Sequence, residues 1–307
     1  KRKKKKLSKQ MTFNPTNILI KAFVKELKGG YEQNYGGMHS NYSEIIAWCG
    51  NMALEIISTS DALYHNVEHT MLVTLVGQEI LRGKHIKEGK VSPEDWMHTI
   101  ISLLLHDIGY VGGALAKDVP EKNQYATGIA DEMITLKDGS SDVSLTPYHV
   151  DRGKRFVEER FGGHAIIKAD IIKKNIELTR FPVPNTEDHQ DTKDYPGLTR
   201  AADLIGQLGD PAYLNKITAL YAEFEETRTN AVLGYRNAGD LRRNYHNFYW
   251  KVVFPYLQDA LGYLRLTQNG RLHIATLYSN VFTVEHAVNK GNPSAQQMEE
   301  TKTIDLK

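Results

Sequence analysis

The chain has 307 residues, 38 Lys or Arg against 37 Asp or Glu, and a formal net charge of +1. That length buries a sizeable core, as one large domain or a pair of small ones. The near-balanced charge hides an asymmetry: the first six residues are Lys-Arg-Lys-Lys-Lys-Lys, and without them the body is mildly acidic, which argues against a surface that coats nucleic acid. Cys49 is the single cysteine; it excludes an internal disulfide and fits a reducing, cytoplasmic compartment. No stretch approaches the roughly 20 apolar residues of a membrane span, and no apolar signal region follows the basic start. The basic run has two readings: a solvated tail, or a cytoplasmic juxtamembrane segment whose anchor has been removed and which can touch an anionic membrane surface.

In chain order, helical periodicity dominates. Asn17–Leu27 carries apolar residues at helical spacing and meets Gly29-Gly30, a stop signal. Further helices are expected at Tyr42–Ser58, Glu68–Arg82 and Pro93–His106, the last opened by Ser92 and Pro93. Gly109–Pro147 has little apolar periodicity and is too long for an idle connection. It is expected to be a mobile cover or interaction segment, with a structured insertion packed elsewhere as the alternative. Helices resume at His149–Phe161, Ala165–Thr179, Leu198–Gly206, Pro211–Thr227, Asn244–Leu264 and Leu272–Val288, while Phe181–Pro196 reads as an exposed loop. No alternating run is long enough for a core strand and no repeat is visible. The expected fold is all-α, with one multi-helix domain over 13–290 between a basic tail (1–12) and a polar tail (291–307).

The chemistry concentrates in Tyr64-His65-Asn66-Val67-Glu68-His69 and in His106-Asp107. His65 and His69 stand four residues apart, so on a helix they project from one face. Ile100-Ile101-Ser102-Leu103-Leu104-Leu105 is an apolar run that ends in an imidazole and a carboxylate. Burying such groups is costly unless something pairs with them, and a divalent cation does so well. Asp203, in Arg200-Ala201-Ala202-Asp203-Leu204, is another acid among small apolar neighbours. His69, His106, Asp107 and Asp203 together make a two-nitrogen, two-oxygen donor set that suits Zn, Fe or Mn better than Ca or Mg. Asp107 has a second oxygen with which to bridge to another, mostly hydrated ion such as Mg or Mn, so two divalent ions are expected.

In order and in context, these residues resemble the HD superfamily of metal-dependent phosphohydrolases, and Tyr-His-Asn-x-x-His resembles its class I cyclic-nucleotide phosphodiesterase branch. The resemblance runs from about Tyr64 to Tyr263. It implies a metal-activated hydroxide that attacks a small phosphodiester, a cyclic nucleotide above all. It also implies that His65 donates a proton to the leaving oxygen, and that His149 stands near the second metal or the phosphate. Alignment of Asn247-Phe248-Tyr249-Trp250-Lys251-Val252-Val253-Phe254-Pro255 puts Phe248 on the aromatic clamp for the base. It puts Tyr245 where the family has a purine-reading Gln.

That Tyr is one departure, because a hydroxyl cannot make the two-point contact of an amide. The other is Tyr110, which replaces the last His of His-Asp-x-x-His. Three alternatives stand beside the diesterase reading. One is the bacterial cyclic-di-GMP hydrolases, whose further signature block is missing. A second is a nucleotide phosphomonoesterase or (deoxy)nucleotide triphosphohydrolase, with Arg152, Lys154, Arg155 and Arg180 as candidate phosphate cations. The third is an inactive HD-type sensor, against which the intact set of core residues argues.

Overall fold

The computed structural model describes residues 14–290; the expected tails 1–12 and 291–307 lie outside the described residues. Among these residues the fold is all-α. The helices are α1 (Pro15–Tyr35), α2 (Ser40–Ile57), α3 (Val67–Glu88), α4 (Pro93–Leu105), α5 (His149–Phe161) and α6 (Ala169–Glu177), followed by α7 (Tyr195–Leu208), α8 (Tyr213–Glu226), α9 (Thr229–Leu233), α10 (Ala238–Phe248), α11 (Gln258–Leu264) and α12 (Gln268–Lys290). The described strands are β1 (Gln124–Ala126) and β2 (Met133–Thr135), an antiparallel pair with Tyr125 opposite Ile134. No described helix is long and apolar enough to cross a membrane.

Two apolar clusters make the core. One gathers residues of α1, α2, α4, α5 and α6, including Leu27, Leu54, Trp96, Leu104, Val157 and Ile172. The other gathers α7, α8, α10, α11 and α12, including Ile205, Leu220, Tyr245, Leu261 and Leu277. Helix α3 belongs to both: Met71 and Leu81 join the first cluster, Val73, Val76 and Ile80 the second. Leu103 of α4 also reaches the second cluster. The expected metal donors therefore sit on helices, or directly after one, at the seam between the two clusters.

Local signals explain the helix ends there. Asn66 caps α3, its side chain accepting from the backbone N–H of Glu68 (3.0 Å) and His69 (3.3 Å). Ser92 and Asp95 form a reciprocal capping box with Pro93 in the first turn of α4. Helix α7 packs directly against α3 because Gly206 lacks a side chain: a Cβ there would fall 2.6 Å from the Cα of Val73.

Three expectations change. Helix α1 continues through Gly29-Gly30 to Tyr35 and stops at Gly36, in a positive-φ conformation (57°). Gly30 instead serves packing, since a Cβ would meet the buried Gln78 side chain at 2.3 Å. The single helix expected over 244–264 is divided into α10, a π-turn at Tyr249–Val253, a 3-10 turn at Phe254–Tyr256 and α11. Pro255, which lacks an N–H, sits at that break.

The third concerns Gly109–Pro147, expected as a mobile cover or interaction segment with a structured insertion as the alternative: it carries β1 and β2 and is tied to α5. The Arg152 side chain is fully buried and donates to the carbonyls of Gly109 (2.6 Å), Val111 (2.9 Å) and Ala126, and to both oxygens of Asp118 (3.2 and 3.0 Å). Asp118 in turn accepts from the backbone of Gly113, Leu115 and Ala126. Arg152, a candidate phosphate cation by sequence, is thus a staple of the insertion.

Candidate metal centre

His69 lies in the first turn of α3, His106 just past the end of α4, and Asp203 on α7. The fold brings them together with Asp107. His69 Nε2 is 3.2 Å from Asp107 Oδ2 and 3.4 Å from Asp203 Oδ1. His106 Nε2 is 3.1 and 3.5 Å from the same two oxygens, and the two Nε2 atoms are 3.4 Å apart. His69, His106 and Asp107 are buried, and one ligand atom from each lies within 4.8 Å of the others. Asp203 is half-buried.

The second nitrogen of His106 decides what this cluster accepts. Its Nδ1 is 2.7 Å from the carbonyl of Leu103, so Nδ1 donates and the neutral ring presents a lone pair at Nε2. That lone pair faces carboxylate oxygens, and Asp107 Oδ2 is buried with no hydrogen-bond donor of its own. An orphan carboxylate oxygen facing imidazole nitrogens fits a divalent cation. Counting protein groups alone, protons fill the same role. Burial would lower His69, but Asp107 and Asp203 outweigh it and raise the imidazole to about 8. His106 is raised in the same way, and both carboxyls are held below their ordinary range by the two imidazoles despite burial.

His65 stands beside this cluster, its ring centroid 5.5 Å from that of His69. Its Nδ1 is 2.6 Å from Oε2 of Glu223, on α8. Oε1 of the same carboxylate accepts from the backbone N–H of Tyr64 (2.6 Å) and His65 (3.3 Å). Burial works to raise Glu223, yet His65 and these N–H donors hold its carboxyl below the ordinary value, so it is ionised and only accepts. His65 Nδ1 must therefore carry the hydrogen, which leaves Nε2 free to exchange a proton. Glu223 is a candidate site residue that sequence reasoning missed. The available signal was its place on the buried stripe Tyr213, Ile217, Leu220, Glu223 of α8, where an acid needs a partner.

His149 opens α5, and its Nδ1 donates to the Thr146 carbonyl at 2.6 Å. Burial pushes this imidazole down, toward the neutral form. It reaches the centre through Tyr110, whose ring stacks on both His149 and His65.

The two base-end residues part company. Phe248 is half-buried, edge-on to Phe181 with centroids 5.7 Å apart. Tyr245 is a correction: it is buried in the second cluster against Tyr213, and its hydroxyl donates to the Leu208 carbonyl at 3.0 Å. A hydroxyl spent on the core cannot read a ligand. The alignment that placed Tyr245 at a binding position fails because this face of α10 packs inward.

Among comparisons with known proteins, the family model described as Npun_R2479-like matches residues 13–287, and the chain belongs to that family. No curated protein and no solved structure matches.

Proposed function

We propose that this member of the Npun_R2479-like family is a metal-dependent phosphohydrolase of the HD type, acting on a small phosphodiester with cyclic nucleotides as the first candidates. One observation carries the reading: the buried, donorless Oδ2 of Asp107 lies among His69 Nε2, His106 Nε2 and Asp203 Oδ1, next to an imidazole with a free nitrogen. His69, His106, Asp107 and Asp203 would hold the tighter ion (Zn, Fe or Mn), and His149 would serve a second ion (Mg or Mn) or the phosphate. Bound there, divalent ions supply Lewis-acid polarisation of a phosphoryl oxygen and activation of a water nucleophile.

The chain's own residues do the rest. His65 delivers the proton from Nε2 to the departing ester oxygen, and Glu223 holds the ring by Nδ1. Tyr64 supports the same turn, its N–H bound to Glu223 and its ring tilted on His69 at 5.7 Å.

The cations suggested for a polyphosphate substrate are committed elsewhere. Arg152 is the buried staple, Arg155 pairs with Glu159, and Lys154 and Arg180 both pair with Asp151 and Glu177. This favours a diester over a triphosphate.

The test joins elemental analysis of the purified chain to a substrate panel with added Mn, Mg or Fe: cyclic nucleotides, bis(p-nitrophenyl) phosphate, p-nitrophenyl phosphate and deoxynucleoside triphosphates. Diester cleavage with bound metal is the expected result. Cleavage of monoesters or triphosphates alone would move the assignment to the nucleotidase alternative. No bound metal and no turnover would end it.

A further inference from the structure

The ring of Tyr110 is stacked on both faces. His65 lies on one side, with centroids 4.7 Å apart and planes inclined by 13°, and His149 on the other, at 4.5 Å and 24°. Each imidazole is tied by a single Nδ1 hydrogen bond, His65 to Glu223 and His149 to Thr146. One such bond fixes a point on a ring but leaves its plane free to rock about that point. A flat neighbour against the face removes this freedom, and Tyr110 is the flat neighbour of both.

The middle ring is itself held fast. Tyr110 is 4% exposed, on a 3-10 turn that follows Asp107 directly, and its N–H donates to the Asp107 carbonyl at 3.0 Å. The preceding Gly109 lies so close to α5 that a Cβ would fall 1.9 Å from the carbonyl oxygen of His149. The Gly109 carbonyl is also bound by the buried Arg152. The turn that carries a candidate metal donor thus also carries the spacer between two imidazoles. A phenol ring does this without adding a charge near neutral pH.

We propose that Tyr110 is a positioning residue that fixes the ring planes of His65 and His149, and with them the direction in which His65 presents Nε2 to the leaving oxygen. The proposal rests on the reading of His65 as the proton donor, but the stack itself is measurable without turnover.

The experiment compares the full chain with Tyr110→Phe, which keeps a stacking ring, and Tyr110→Leu, which does not. Histidine-selective NMR reads the Cε1–H signals, assigned with His65→Asn and His149→Asn. Both signals should be shifted upfield by the ring current in the wild type and in Tyr110→Phe, and should lose that shift in Tyr110→Leu. On a diester with a poor, alkoxide-type leaving group, Tyr110→Leu should lower kcat by roughly 10- to 100-fold, the scale of misplacing a reacting group. KM should stay within about threefold, with Tyr110→Phe close to wild type. The loss should be smaller on bis(p-nitrophenyl) phosphate, whose leaving group needs no proton.

Unshifted His65 and His149 signals in the wild type would overturn the proposal, and so would full kcat on the poor leaving group in Tyr110→Leu. If Tyr110→Leu fails to fold, the wild-type spectrum and the Tyr110→Phe comparison still decide. Intact ring shifts with no turnover of any diester would reject the hydrolase reading while leaving the ring-holding role standing.

Discussion

Glu223 Oε2 and His65 Nδ1 meet at 2.6 Å across 158 residues of sequence, which joins α8 to the turn that leads into α3. The contact is buried on the carboxylate side and partly open on the imidazole side, with side-chain exposures of 3% and 17%. A proton donor at the edge of the proposed metal centre would need this asymmetry: one nitrogen anchored, the other reachable. Replacing His65 by Asn should lower turnover by roughly 10²–10⁴-fold on substrates with a poor leaving group, the usual worth of acid catalysis. Glu223→Gln should also lower it, because both carboxylate oxygens accept and an amide has one acceptor only, so its NH2 would face either His65 Nδ1–H or the backbone N–H groups. Both losses should shrink on nitrophenyl esters, with metal content unchanged. Equal losses on good and poor leaving groups would count against His65 as the acid.

Removing a donor from the cluster should act first on ion binding. His106→Ala and Asp107→Ala should each strip the tighter metal, since the remaining groups are too few and too loosely placed to hold it. They should also lower stability, by a few kcal/mol at most, because a partner is left buried without compensation. Elemental analysis and thermal melting with and without added Mn give the readout. A full metal complement in either variant would mean that the ion binds elsewhere.

Arg152 and Asp118 form an ion pair whose side chains are both fully buried. Arg152→Met should therefore cost about 3–5 kcal/mol, the range for leaving one member of a buried pair uncompensated. Proteolysis should begin in the 109–147 insertion, whose carbonyls the guanidinium holds. The double variant with Asp118→Asn should recover part of the loss. An effect within about 0.5 kcal/mol, as for an ordinary surface change, would show that Arg152 is not the tether.

A pH effect follows from Glu177. Burial would raise its carboxyl, but Arg180 and Lys154 outweigh burial and hold it at about 2, against an ordinary value of 4.5. A depressed folded-state value means that the unfolded chain binds the proton more readily. The contribution is complete above 4.5 and is lost as pH falls through 2. The group is partly solvated, so the effect is modest. Urea midpoints taken from about pH 6 down to about pH 2.5 should fall more steeply for the wild type than for Glu177→Gln. Parallel curves would remove Glu177 from the account of acid sensitivity.

The sequence by itself determined the helical class and the core of the site, for a local reason. Helical periodicity, the Asn66 cap and the Ser92–Asp95 capping box are written within a few residues of each other. So is the apolar run that carries His106 and Asp107 into the interior. His69 and Asp203 were legible by their spacing and their apolar surroundings. Only the tertiary structure decided what depends on which faces meet. Glu223 looks like any helical acid until α8 packs its apolar stripe toward His65. Arg152 reads as a candidate phosphate cation until α5 is seen to press it beneath the insertion. Gly29-Gly30 reads as a helix stop until α1 is laid against Gln78. Tyr245 reads as a ligand contact until α10 turns it toward Leu208. Each of these outcomes is a long-range pairing of side chains, and no local pattern encodes the partner of a buried polar group; packing selects it.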